Sequence, residues 1–215
     1  MSTGKFELHE PAEAHVMNGY SDRLNHALAF AAKHHDQQVR KGTRLPYITH
    51  AANVALILAR YDRDETTVAA GILHDVIEDC VRDGWTHAML ESRIADKFGD
   101  DVLAVVLTVT KRRLDDGGNE MDRDDRNADY LVRLATADDR ARWVCAADKV
   151  HNGNATLADL RRTQDPGSVL GRFTGGRAET VSWYRAVHDR LAAAGFAAPI
   201  MRELRETVEQ LEAAS

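Results

Sequence analysis

A chain of 215 residues, 44% hydrophobic and 29% charged, has material for one substantial core and too little for several enzymatic domains. Its net charge of −6 excludes a broad basic surface for DNA or RNA, so a phosphate-bearing ligand must be met by a local basic patch. The first residues carry neither the apolar run nor the cleavage pattern of a leader, and the most apolar stretch, 102–109, is too short to span a bilayer. The expectation is a cytoplasmic protein with no membrane partner.

Residues 1–20 read as a flexible arm and 21–215 as a single domain. Ser21 or Asp22 can cap a helix with Leu24, Ala27, Leu28 and Ala31 on one face, ending within HHDQQ. The basic loop RKGTRLP follows, and Pro46 disfavours helix before it, so a new element begins near Tyr47. ITHAANVALILARY is the second helix, with Val54, Ile57 and Leu58 inward. DETTVAAGILHDVIED is the third, capped by Asp64 or Thr66 and continuous through 71–79. Thr86 caps a helix that ends at Gly99 in a left-handed turn.

DDVLAVVLTVT is apolar enough for buried helix or strand, and the absence of any partner strand in the pattern favours helix. LDDGGNEMDRDD is a loop; helical stretches follow at 125–137 and 138–162. DPGSVLGRFTGG breaks the pattern, and helices at 176–194 and 200–213 complete the chain. No repeat and no alternating strand set appears, which gives an all-α single domain. Cys80 and Cys145 both lie in apolar helical patterns and read as buried, reduced thiols.

The stretch GILHDVIED sets a histidine and three carboxylates among apolar residues. On a continuous helix His74 aligns with Glu78, and Asp75 with Glu78 and Asp79. One reading is a solvated helix face; the other is a group of metal ligands and acids. The carboxylates crowd the C-terminal half of the helix, where the macrodipole prefers cations. The preceding TTVAAGI is small and apolar around most of its circumference, as in a buried helix. Acids in such a setting need compensation, because a buried unpaired charge is costly, and a divalent cation supplies it.

One helix offers too few ligands. His50 in PYITH and Asp148 in AADKVHN are the other suppliers, although each taken singly also fits a polar residue that caps or pairs. With His74 and Asp75 they make a set of two imidazoles and two carboxylates, which suits Mn, Fe or Zn better than Ca or Mg.

His50, His74–Asp75 and Asp148, in that order and spacing, resemble the metal ligands of HD-domain phosphohydrolases. RKGTRLPYITH, GILHDVIED and AADKVHN are similar to the hydrolase domain of RelA/SpoT-type alarmone enzymes, and LADLR and GRFTGGRAETVSWY to its small single-domain members. The resemblance implies an all-helical HD fold with its metal site between central helices, and Mn²⁺ as cofactor. It implies a hydrolase that removes the 3′-pyrophosphate from a guanosine or adenosine 3′,5′-polyphosphate such as ppGpp.

By motif position His50, His74, Asp75 and Asp148 would bind the metal, and Glu78 and Asp79 would place and activate the attacking water. Arg40 and Lys41 would lie near the base and Asn152 near the sugar, with Arg44, Lys149 and Arg177 as further contacts for phosphate. Trp183 and Tyr184 read as core, with substrate contact as the alternative for either ring. A synthetase domain has no room in this length. Two other functions stay open: an HD phosphohydrolase of 5′-nucleotides or dNTPs, and a non-catalytic nucleotide-sensing module. Nothing in the sequence selects an oligomeric state.

Overall fold

Several helix starts follow side chains that can accept from free backbone N–H groups. In the computed structural model Ser21 caps α1 (Asp22–His34), its hydroxyl oxygen accepting from Leu24 N–H, and Asp64 caps α3 (Glu65–Leu73). Thr86 caps α5 (His87–Phe98), and Asp122 and Asp138 cap α7 (Arg123–Thr136) and α8 (Asp139–Arg162). Between these lie α2 (Ile48–Arg60), α4 (Val76–Asp79) and α6 (Asp100–Val109). After them come α9 (Pro166–Leu170), α10 (Gly176–Ala193) and α11 (Ile200–Ala213).

The structure describes residues 19–82, 84–172 and 176–214, without the side chains of Pro166, Leu170 and Arg177. The arm expected over 1–20 thus lies, up to residue 18, outside the described residues. Among those described there are eleven helices and only isolated β-bridges. The all-α reading holds, including α6, whose β-branched residues had left strand open. The expected break after α8 contains one short helix, α9. Both cysteines are free and buried. No described helix is long and apolar enough to cross a membrane.

The centre of the bundle is α3. Its residues from Thr66 to Leu73 are all buried, and α1, α2, α6 and α8 pack around it. An all-round apolar helix has no solvent face to orient it, so its position is set by contact on every side. Gly71 governs the approach of α2: a Cβ there would stand 2.4 Å from Leu58 Cδ1 and 3.3 Å from Val54 Cγ1. That approach brings the start of α2, with His50, alongside the end of α3, with His74. Gly153 does the same for α8 against α11, where a Cβ would stand 2.3 Å from Thr207 Cγ2.

Two local expectations need correction. Gly99 joins α5 to α6 with φ 93° and ψ 159°, an extended positive-φ conformation open to glycine and not the left-handed helical turn. More important, the helix expected through 71–79 is broken. It ends at Leu73; Asp75 sits at φ −94° and ψ −6°, and a separate turn, α4, begins at Val76. A ψ near zero opens the helical ladder for one turn, which re-aims Glu78 and Asp79 relative to His74. On four residues the macrodipole argument against those acids has no force.

The close approach at Gly71 makes a prediction. Gly71→Ala gains helix propensity but forces Leu58 out of a packed position, for a net loss of about 1–2 kcal/mol. Urea unfolding measures it, and a variant as stable as the parent contradicts the packing described.

Candidate active site

His50 from α2, His74 from the break between α3 and α4, and Asp148 from α8 each place a possible ligand atom within 4.8 Å of the others, and Asp75, next to His74, joins them through the two imidazoles. His50 Nε2 lies 3.2 Å from His74 Nε2, and 3.3 Å from both Asp75 Oδ2 and Asp148 Oδ1. His74 Nε2 lies 3.1 Å from Asp75 Oδ2 and 3.8 Å from Asp148 Oδ1. His50, His74 and Asp148 are buried; Asp75 is partly open to a cleft.

The tautomer of His74 follows from its neighbour. Nδ1 is 2.8 Å from the Gly71 carbonyl oxygen, which can only accept, so Nδ1 carries the proton and Nε2 faces the cluster. Asp75 also accepts from the Tyr47 hydroxyl, and Asp148 from Lys149 Nζ and Asn152 Nδ2.

The electrostatics suit a cation. Burial works against ionised carboxyls, yet His74 and His50 hold Asp75 well below the usual carboxylate range. Lys149, with the two histidines, overcomes burial in the same way for Asp148. Burial also opposes a charged His74, but the Asp75 and Asp148 carboxylates outweigh it and raise its pKa well above the ordinary value. Both carboxylates are thus favoured in the ionised form, with the His74 imidazole and the Lys149 ammonium beside them. Two imidazole nitrogens and two carboxylate oxygens are a fitting donor set for a borderline divalent metal.

The acids on α4 stand beside this point, each anchored from a different side. Glu78 Oε2 accepts from the Lys111 backbone N–H at 2.9 Å, and Asp79 Oδ2 from Gln38 Nε2 at 2.8 Å. Gln38 is itself held by His35 Nδ1, 2.6 Å from its Oε1, and the His35 ring stacks on Tyr47. Burial and the Asp75 charge raise the Glu78 pKa. Asp79 is accessible from the cleft, yet the protein around it and the Asp75 charge raise its pKa too.

A cleft of about 650 Å³ opens over these groups, within the range of small-molecule sites. Arg40 and Lys41 line one part; Arg40 Nη2 donates to Asn152 Oδ1 at 2.6 Å. Lys149 and Asn152 line the floor beside Asp148. Arg44 is exposed and is not among the lining residues, because the turn through 40–45 directs it outward. Arg177 falls outside the described side chains. Trp183 is half-buried and lines the cleft, whereas Tyr184 is 7% exposed and packs in the core while edging the same cavity.

Several residues escaped the sequence reading. Lys111 is the chief one: its Nζ sits 4.0 Å from the Trp183 ring centroid and donates to Asn127 Oδ1 at 2.7 Å. Burial, with Lys149 nearby, lowers its pKa to about 8. Its signal was a lysine directly after a buried apolar helix, where a solvated cap is the ordinary reading. His151 stands 2.7 Å from His50, Nδ1 to Nδ1. Gln38 had no signal beyond adjacency to the RKG stretch, and Tyr47 lies within PYITH without a role of its own in the pattern.

Known proteins share this arrangement of sequence. The HD domain family profile matches residues 27–166. Guanosine-3′,5′-bis(diphosphate) 3′-pyrophosphohydrolase MESH1 of Drosophila melanogaster is 32% identical over 174 residues, covering 80% of this chain and 86% of that protein. A GTP pyrophosphokinase of Myxococcus xanthus is 31% identical over 134 residues, which is 61% of this chain and only 17% of that protein. A solved structure described as a metazoan ortholog of SpoT that hydrolyzes ppGpp superposes with a TM-score of 0.68 at 27% identity, covering 90% of this chain and 98% of its own. Ligand geometry, helical fold and homology agree, and the chain belongs to the HD domain family, with close homology to its MESH1 and SpoT-type members.

Proposed function

We propose that this protein is a divalent-metal-dependent hydrolase of guanosine or adenosine 3′,5′-polyphosphates such as ppGpp, releasing the 3′-pyrophosphate in the cytoplasm. The observation that carries the reading is the meeting of His50, His74, Asp75 and Asp148 beside an acid pair, Glu78 and Asp79, under one cation-lined cleft. The names of the MESH1 and SpoT-type relatives support the choice of substrate.

His50, His74, Asp75 and Asp148 would hold the ion, which we take to be Mn²⁺. A divalent ion in such a site lowers the pKa of water and offsets charge that builds on phosphoryl oxygens. Glu78, with its raised pKa, is suited to accept a proton from the attacking water, and Asp79, fixed by Gln38, to orient that water. Lys149 and Lys111 offer cations to the phosphates. Arg40 and Lys41 face the base, and Asn152, already shared between Arg40 and Asp148, the sugar.

Purified protein incubated with ppGpp, pppGpp, ppApp, NADPH, dNTPs and 5′-monophosphates, with Mn²⁺ or with chelator, tests the reading. Metal-dependent release of pyrophosphate from a 3′-pyrophosphorylated nucleotide is expected. Turnover of 5′-nucleotides or dNTPs alone moves the chain to the broader HD phosphohydrolases, and no turnover at all leaves a sensing module.

Asp75→Ala is expected to abolish activity together with metal binding. Glu78→Gln should keep the metal and lose about 10²–10⁴-fold in kcat. Metal analysis of both proteins separates the two roles, and a Glu78→Gln enzyme at full rate contradicts the assignment.

Lys111 gives a pH prediction with a definite sign. Its ammonium is charged below about pH 8 and neutral above it, so affinity for an anionic nucleotide falls as pH rises through that value. Lys111→Arg stays charged and lacks that step. Calorimetry with guanosine 3′,5′-bisphosphate on both proteins cancels the titration of the ligand itself, and superimposable profiles rule the role out.

A further inference from the structure

His74 and His50 face the same cluster but are oriented by different means. The Nδ1–H of His74 is committed to the Gly71 carbonyl oxygen, which fixes its Nε2 toward the cluster. His50 is fully buried, and among the described residues no backbone carbonyl meets its Nδ1; its partner is the Nδ1 of His151, at 2.7 Å. A pair of ring nitrogens at that distance holds one proton between them, so one ring donates and the other accepts.

The choice matters at the other side of the His50 ring. If His151 donates, His50 carries its own proton on Nε2, which then points at Asp75 and Asp148, 3.3 Å away. If His151 accepts, His50 Nδ1 carries the proton and Nε2 presents a lone pair to the same point as the Nε2 of His74. Only the second arrangement is compatible with His50 as a metal ligand.

We infer that His151 is a positioning residue for the metal centre: its Nδ1 accepts from His50 Nδ1–H and so fixes the His50 ring and tautomer for ligation. This rests on the metal-centre reading proposed above. His151 lies three residues after Asp148 on α8, so one helix supplies both a ligand and the partner of another. Partners of this kind orient ligands elsewhere, and their loss typically weakens metal affinity by about 10–100-fold.

The test is metal affinity, measured by titrating the metal-free full-length protein with Mn²⁺. His151→Leu removes the acceptor and is expected to weaken binding by about 10–100-fold. His151→Asn, whose Oδ1 replaces Nδ1 as acceptor at nearly the same position, should restore affinity to near the parent value. A leucine variant that binds as tightly as the parent overturns the inference, as does an asparagine variant no better than leucine.

Should His151→Leu fail to fold, the parent protein still gives an answer. A long-range ¹H–¹⁵N spectrum with bound Zn²⁺ reads the His50 tautomer directly, with the proton on Nδ1 expected and an unprotonated Nδ1 contradicting the assignment. A parent protein that binds no divalent metal refutes the metal-centre reading itself, which separates the two failures.

Discussion

Two carboxylates and two imidazoles held against one another at the heart of a helical bundle form a constraint that the other features serve. Left to itself, such a cluster costs free energy, because each charge loses water and gains only partly compensating neighbours. The bundle holds it in place by packing: α3 is apolar on all sides, Gly71 admits α2, and α8 brings Asp148 across from the third direction. A rigid apolar frame of this kind fixes ligand positions more firmly than an exposed loop can.

The chemistry divides along the break at His74–Asp75. Before it, the end of α3 contributes an imidazole whose proton is committed to Gly71. After it, α4 presents Glu78 and Asp79, and each is held by a group outside α4: the Lys111 backbone for one, the Gln38 side chain for the other. Their raised pKa values have a common origin in burial and in the Asp75 charge. Arg40, Lys41, Lys111 and Lys149 line the cleft, so a chain of net charge −6 still offers a polyanion local positive charge.

Helix order, most caps and the grouping of the four His and Asp side chains were legible in the sequence because they are local or motif-bound. Ser21, Asp64 and Thr86 cap the helices they precede, and His50, His74, Asp75 and Asp148 converge. The break at Asp75 was not legible, since the apolar spacing of Ile72, Leu73, Val76 and Ile77 runs on as if the helix were whole. Arg44 was grouped with Arg40 and Lys41 by proximity in sequence, but the tight turn at 40–45 sends it to the surface. Lys111, just after α6, and Trp183, on α10, are 72 residues apart and meet where α6 and α10 both pack on α7, which no local pattern announces.

The central claim is that these four side chains enclose a single divalent ion. An anomalous difference map from a Mn²⁺-soaked crystal tests it most directly. One peak enclosed by His50 Nε2, His74 Nε2, Asp75 Oδ2 and Asp148 Oδ1 is the predicted result. A map with no peak there, the two imidazoles still in direct contact with the carboxylates, contradicts it.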